Sequence, residues 1–296
     1  IIFLVILLLI SNSSLIAAQT YNVKRDHPRL WLSSDVMQDL QYKRQQNTQD
    51  WQNFLSEANA RVNNPDNGYN WGYNAMIQAL AYQVTKDQRY AARAKKMIDD
   101  NIFSMDCFGS NQYRWSCWQP VIVFDWVYDY LQSNGGTQSY VNLFHKWSAY
   151  HRNPPEAIRY SDTDHLIAIS KGLILTSIAT YYEDSPSSAD YLSYGLDKLW
   201  FGGGGIDEWL IRDIDKGGLW LEGAYYSQGT TVYLYETREA VLSGLGIDVF
   251  KDRTFPQEQI IAILHLMSPK EPYTYIYPYG DLEHGATDYY HANYHD

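Results

Sequence analysis

The sequence predicts an all-α chain of helical hairpins arranged as an incomplete α/α toroid. Three observations carry that expectation. Apolar residues recur at helical spacing in one stretch after another. In successive pairs one helix is small and apolar and its partner more polar, as an inner and an outer layer would be. Strand-like alternation is almost absent before Tyr273-Thr-Tyr-Ile-Tyr.

Ile1 to Ile10 form an unbroken apolar run followed by Ser-Asn-Ser-Ser and Leu-Ile-Ala-Ala-Gln. The run falls short of the ~20 residues that a bilayer span needs. A secretory signal peptide cut near Ala18 fits it, which makes residues 1–18 an N-terminally incomplete signal and the protein secreted or periplasmic. Residues 19–270 are then the toroid domain. After an extended His27-Pro28-Arg29-Leu30 segment, Ser33 or Ser34 caps a helix with Asp35 in its first turn, and the helical pattern runs to about Val62. Pro65, Asp66 and Gly68 mark a loop. Trp71–Val84 and Asp87–Ile102 read as a helical pair, with Tyr90, Ala94 and Met97 on one face of the second.

Trp115–Leu131 reads as an aromatic helix interrupted early by Pro120, and Ser139–Tyr150 as the next helix. His165–Tyr182 and Ala189–Trp200 repeat the earlier pair, the segment around Ala79 matching that around Ser177. Gly202–Gly205 is a flexible break. Ile206–Ile214, Leu219–Leu245 (closed by Gly246) and Pro256–Met267 complete the helices. Residues 271–296, rich in Tyr and Pro, read as a linker or the start of a β-rich domain.

Cys107 and Cys117 are the two cysteines. In an exported chain they read as one disulfide closing a small loop, with buried free thiols as the alternative. The net charge of −11 opposes nucleic acid and anionic membranes as partners. An acidic polysaccharide remains compatible where a local basic cleft overrides a distant acidic shell. The 27 Tyr and 10 Trp supply core bulk, and also flat faces with polar edges that stack on sugar rings.

Lys216 to Glu236 is the stretch with the most chemical character. A glycine pair, Glu222-Gly223 and the adjacent Tyr225 and Tyr226 precede a long amphipathic run. Glycine there lets a backbone approach a ligand closely. The Glu222-Gly223-Ala224-Tyr225-Tyr226 step behind Gly217-Gly218-Leu219-Trp220 resembles the Asp-Gly-Ser-x-x-Glu-Gly-x-x-Tyr signature of heparinase II/III-like polysaccharide lyases and the related uronyl C5-epimerases. Pro28 to Leu30, the hairpins, and Tyr279-Gly280-Asp281 resemble the same family in the same order, over most of the chain.

The resemblance implies an α/α toroid followed by a β-sandwich, acting on uronate-containing polysaccharides by β-elimination, with a further catalytic His or a structural metal site early in the sandwich of relatives; for this chain no cofactor or metal is expected. Removing the C5 proton builds charge on the carboxylate. Such a site needs a donor or cation there, a base at C5 and an acid for the O4 leaving group. Tyr226 falls on the signature Tyr and would be the acid/base; the alternative is a packed helix aromatic. Tyr225 faces elsewhere and reads as packing or cleft wall. His165 matches the family's His as second base or carboxylate partner, against a simple capping role. Asp164 stands where relatives often have Asn, so the carboxylate neutraliser is open among Arg114, Arg152, Arg159 and Lys171. Thr230-Thr231-Val232 stands where some relatives carry an Arg.

Glu222 either orients the site or caps the helix. Trp71, Tyr113, Trp115 and Trp118 are sugar platforms or core. His284 is a cleft residue beside His291, His295, Asp281, Glu283 and Asp288, whose spacing fits no compact metal motif. Three other readings stand beside the lyase. One is a C5-epimerase. Another is an α/α-toroid glycoside hydrolase using Asp164 and Glu222, with Asp125 in reserve. The last is a carbohydrate-binding homologue without catalysis.

Overall fold

A computed structural model describes residues 21–64, 70–153, 164–212, 216–220 and 223–267, with the pairs 275–276 and 290–291. The proposed signal, Arg159, Glu222, His284 and the Tyr279-Gly280-Asp281 step lie outside the described residues, as does the side chain of Tyr225. Ser33 caps α1 (Ser34–Gln45), its side chain accepting from Val36 N–H. The helical pattern predicted to run on to Val62 breaks at Asn47, which takes φ 49°, and Thr48 caps α2 (Gln49–Val62). Nothing apolar marks this break, because Lys, Arg and Gln fill both sides of it. Next come α3 (Trp71–Thr85) and α4 (Gln88–Asn101), the latter capped by Asp87. Tyr90, Ala94 and Met97 of α4 are buried, as expected of one face.

The single helix expected over Trp115–Leu131 is three pieces, α5 (Ser110–Trp115), α6 (Gln119–Trp126) and α7 (Tyr128–Ser133). Pro120 opens α6 rather than interrupting it, since proline suits the first turn, where its missing N–H has no partner to lose. The remaining helices are α8 (Gln138–Arg152), α9 (Asp164–Ala179), α10 (Ser185–Ser193), α11 (Ile206–Arg212), α12 (Ala224–Leu245) and α13 (Phe255–Leu266). A π-helix over Tyr194–Trp200 extends α10. The described residues are otherwise helix and turn, apart from a two-residue antiparallel pairing of Tyr275–Ile276 with Tyr290–His291. Among them no helix is long and apolar enough to cross a membrane.

Helices α3, α6, α9 and α12 pack in that order. Their contacts give their sense. Gly72 abuts Gln119 early in α3 and α6, and Gln83 donates to the Trp126 carbonyl late in both. Trp118, at the head of α6, lies beside Lys171 of α9, while His27 bonds both Asp125, late in α6, and Glu183, just past α9. Lys171 meets Glu236, and Ile178 meets Gly244, along α9 and α12. Partners advance together in each case, so the four helices are parallel. The helices covering them run the other way. Gln78 and Asn74 of α3 meet Ala58 and Arg61 of α2, Thr180 and Ser170 meet Ser188 and Gly195, and Thr231 and Tyr235 of α12 meet Gln259 and Phe255 of α13. In α9 every residue except His165 is buried, and buried polar side chains among them find partners inside the protein, Ser170 on the Gly195 carbonyl, Ser177 on the Leu173 carbonyl and Lys171 on Glu236.

The Pro28-Arg29-Leu30 segment ties the far ends of this layer together. The buried Asp125 carboxylate accepts from the backbone N–H groups of Arg29 and Leu30, each at 2.9 Å, and lies 2.6 Å from His27 Nδ1. Arg29 reaches the Ala179 carbonyl at 2.7 Å and Glu183 at 2.8 Å, and the His27 ring stacks on Tyr128. Asp125 is thereby a structural anchor and not a spare catalytic carboxylate. Cys107 and Cys117 are disulfide-bonded and buried.

Candidate functional site at the start of the inner helices

Parallel helices bring their N-terminal ends to one side, and several of the side chains singled out in the sequence lie there, joined by Tyr73. Trp71 and Tyr73 open α3, Asp164 and His165 open α9, and Tyr226 stands in the first turn of α12. Arg114 and Trp115 end α5, which packs on α9. Unsatisfied N–H groups and the helix dipole favour negative charge at such an end.

The positive φ of Gly217 and Gly218 has a packing reason at Gly218, where a side chain would run into the backbone of α13 at Glu258, 2.3 Å away. The glycine pair is the turn that lays the chain across α13. Trp220 then packs edge-on to Trp209 with ring centroids 4.4 Å apart. Gly223, at φ 103°, is the N-cap of α12, so the helix starts five residues later than the sequence pattern suggested. Tyr226 is half-buried against the core.

Asp164 is buried and ion-paired with Arg114, itself buried, and the Arg114 guanidinium lies 4.7 Å from the Trp115 ring centroid. Burial raises the Asp164 carboxyl above the ordinary carboxylate range, and the Arg114 guanidinium offsets part of that rise. His165 Nε2 lies 3.8 Å from the other Asp164 oxygen and is about a third exposed. One step deeper, Lys171 is fully buried. Its ammonium lies 4.1 Å from the centroids of both Trp118 and Tyr233 and bonds Glu236 at 2.6 Å. Burial lowers the Lys171 pKa against the pull of Glu236, and raises that of Tyr233 against the pull of Arg114. Tyr73, half-exposed, sits edge-on to Trp118.

The expected sugar platforms therefore divide. Trp115 is 53% exposed and Trp71 half-buried, and both keep ring surface for a ligand. Trp118 and Tyr113 do not. Trp118 is buried beneath Lys171 and Tyr73. Tyr113 fills the notch left by Gly172 and stacks on His151 at 3.8 Å. Among the neutraliser candidates, Lys171 is spent on Glu236, and Arg152 pairs with Asp190.

Tyr233 and Glu236 were not among the residues singled out by sequence. The available signal was the spacing of seven from Tyr226 to Tyr233, which returns to the same helical face. Glu236 also lines a cleft of about 400 Å³ between α1 and α12, walled by Trp31, Val36, Val232 and Tyr235. A second cleft, of about 420 Å³, lies at the opposite end around His27, Arg29 and Glu183. Neither is lined by Tyr226 or His165. Among the described residues no group of three or more His, Cys, Asp and Glu could hold a metal ion. Comparison of the chain with family models and with curated proteins gives no match.

Proposed function

We propose that this chain is a polysaccharide lyase that cleaves uronate-containing chains by β-elimination, with Tyr226 as acid/base and His165 assisting. The reading rests on one observation above the others: His165 and Tyr226 stand in the first turns of two adjacent parallel helices. The register set by Lys171–Glu236 and Ile178–Gly244 runs at 65 and 66 residues, which places Asp164 opposite Gly229 and Thr230, about one turn from Tyr226. A row of parallel inner helices under antiparallel outer ones is how an α/α toroid is built, and we read the layer as part of one. The shared N-terminal end suits an anionic polymer despite the overall negative charge.

Against hydrolysis stands the anchoring of Asp125, which accepts from the Arg29 and Leu30 backbone N–H groups and so is not free to serve as the second carboxylate of an inverting pair. The test is incubation with a panel of uronate polymers, following the ultraviolet absorbance of the new C4–C5 double bond. Tyr226→Phe should abolish that signal while leaving the thermal melt unchanged. Exchange of the C5 proton with deuterated solvent, without absorbance, would mark an epimerase. Neither signal on any polymer would remove the reading.

A further inference from the structure

Elimination leaves one requirement unassigned, the group that holds the uronate carboxylate as its charge grows. We infer that Arg114 is that group and that Asp164 and Trp115 position it, an inference that rests on the uronate reading above. Three observations carry it. The guanidinium is fixed from two sides, by the Asp164 carboxylate and by the Trp115 ring. Its Nε is buried and has no hydrogen-bond partner among the described residues. The pair lies at the N-terminal end of α9, next to His165, where a carboxylate would also meet the favourable end of the helix dipole.

Among the described residues the other candidate cations do not compete, Arg152 being paired with Asp190. Lys171 is fully buried and closed off by Glu236, Trp118 and Tyr233. Arg114 is the cation placed beside an exposed aromatic face, so that a sugar ring on Trp115 presents its carboxylate to the guanidinium edge. The acidic residue at position 164 is then an orienting partner. It spends one guanidinium nitrogen to hold the remaining fork in a single geometry, as rigid carboxylate recognition by Arg requires.

The experiment compares binding of a short uronate oligosaccharide with that of its carboxyl-reduced, neutral counterpart, in a Tyr226→Phe background so that no turnover intervenes. The parent should prefer the uronate, and Arg114→Gln should lose about ten- to a hundred-fold on that arm alone, the range of a charge-assisted hydrogen bond. Arg114→Lys should recover part of the preference. Equal losses on both arms, or a preference that survives Arg114→Gln in a folded chain, overturn the inference and leave the lyase reading standing. A parent that binds neither oligosaccharide removes both. Should Arg114→Gln not fold, Asp164→Asn decides: freeing the guanidinium should weaken the uronate arm by a few-fold and leave the neutral ligand unchanged, and equal losses on both arms, or no change on either, would contradict the inference.

Discussion

Glu183→Gln tests how the Pro28-Arg29-Leu30 segment holds the layer together. The Glu183 carboxylate, 10% exposed, accepts from both terminal nitrogens of Arg29, at 2.8 and 3.1 Å, and faces His27 Nε2 at 3.2 Å. Burial alone would raise its pKa, but His27 and Arg29 outweigh burial and hold it at about 2, against an ordinary 4.5. At ~1.4 kcal/mol per pH unit, that displacement is worth about 3 kcal/mol of folding free energy. Because the folded value lies below the unfolded one, the stabilisation is complete above pH 4.5 and is lost as pH falls towards 2. His27 behaves oppositely. Burial lowers its pKa, yet Asp125 and Glu183 raise it above 6.5, so its share is complete below pH 6.5 and fades as pH rises through the folded value. The bridge is strongest between these two limits.

The assay is urea unfolding across a pH series, for the parent and for Glu183→Gln. The parent should be most stable in the window between 4.5 and 6.5. The variant should lose about 3 kcal/mol within it, and its decline on acidification should be shallower by up to ~1.4 kcal/mol per pH unit. A variant with the parent's acid slope, or one that loses less than about 1 kcal/mol, would mean that Glu183 is a solvated carboxylate and that the ion pairs contribute no more than surface ones do.

Glu236→Gln should destabilise by about 3–5 kcal/mol because it strands the fully buried Lys171 charge, while Lys171→Met leaves only the partly exposed Glu236 and should cost less; unfolding of the two single variants and the double variant checks the asymmetry. Gly172→Ala places a methyl group 2.4 Å from the Tyr113 ring and should cost about 1–3 kcal/mol by thermal denaturation. Reduction of Cys107–Cys117, ten residues apart, should cost about 3 kcal/mol if loop closure in the unfolded chain sets its contribution, read as the difference between urea curves with and without reductant. Trp115→Ala should leave the melt within about 0.5 kcal/mol, since its ring is exposed, while weakening binding of any uronate oligosaccharide that the parent binds.

The layering was legible in the sequence because burial selects residue size. A helix packed on all sides is dominated by apolar and small residues, as α9 is from Leu166 to Ala179 apart from Lys171, and that texture needs no knowledge of the partner. Segment breaks were less legible. At Asn47 the break is a single left-handed residue in a polar surface run, and at Val127 the chain passes from α6 to α7 without losing its apolar character. The glycines ahead of α12 were ambiguous for a related reason. Positive φ and close approach are equally required by a ligand and by a crossing helix, and only the position of α13 separates the two.

Asp164 shows the same limit from the side of chemistry. Taken alone, and on the lyase reading proposed above, a carboxylate at this position would be a defect, since it would repel the charge that the reaction develops. Its meaning depends on Arg114, fifty residues earlier and on another helix, and no local spacing connects them. Together the two side chains carry no net charge, as an Asn amide would, but they differ from it in kind. The pair offers a fixed guanidinium fork whose orientation depends on the carboxylate behind it. A change at either position should therefore be read through the other, and a double-mutant cycle of the Arg114 and Asp164 variants, on both the charged and the neutral ligand, measures how far the two act as a unit.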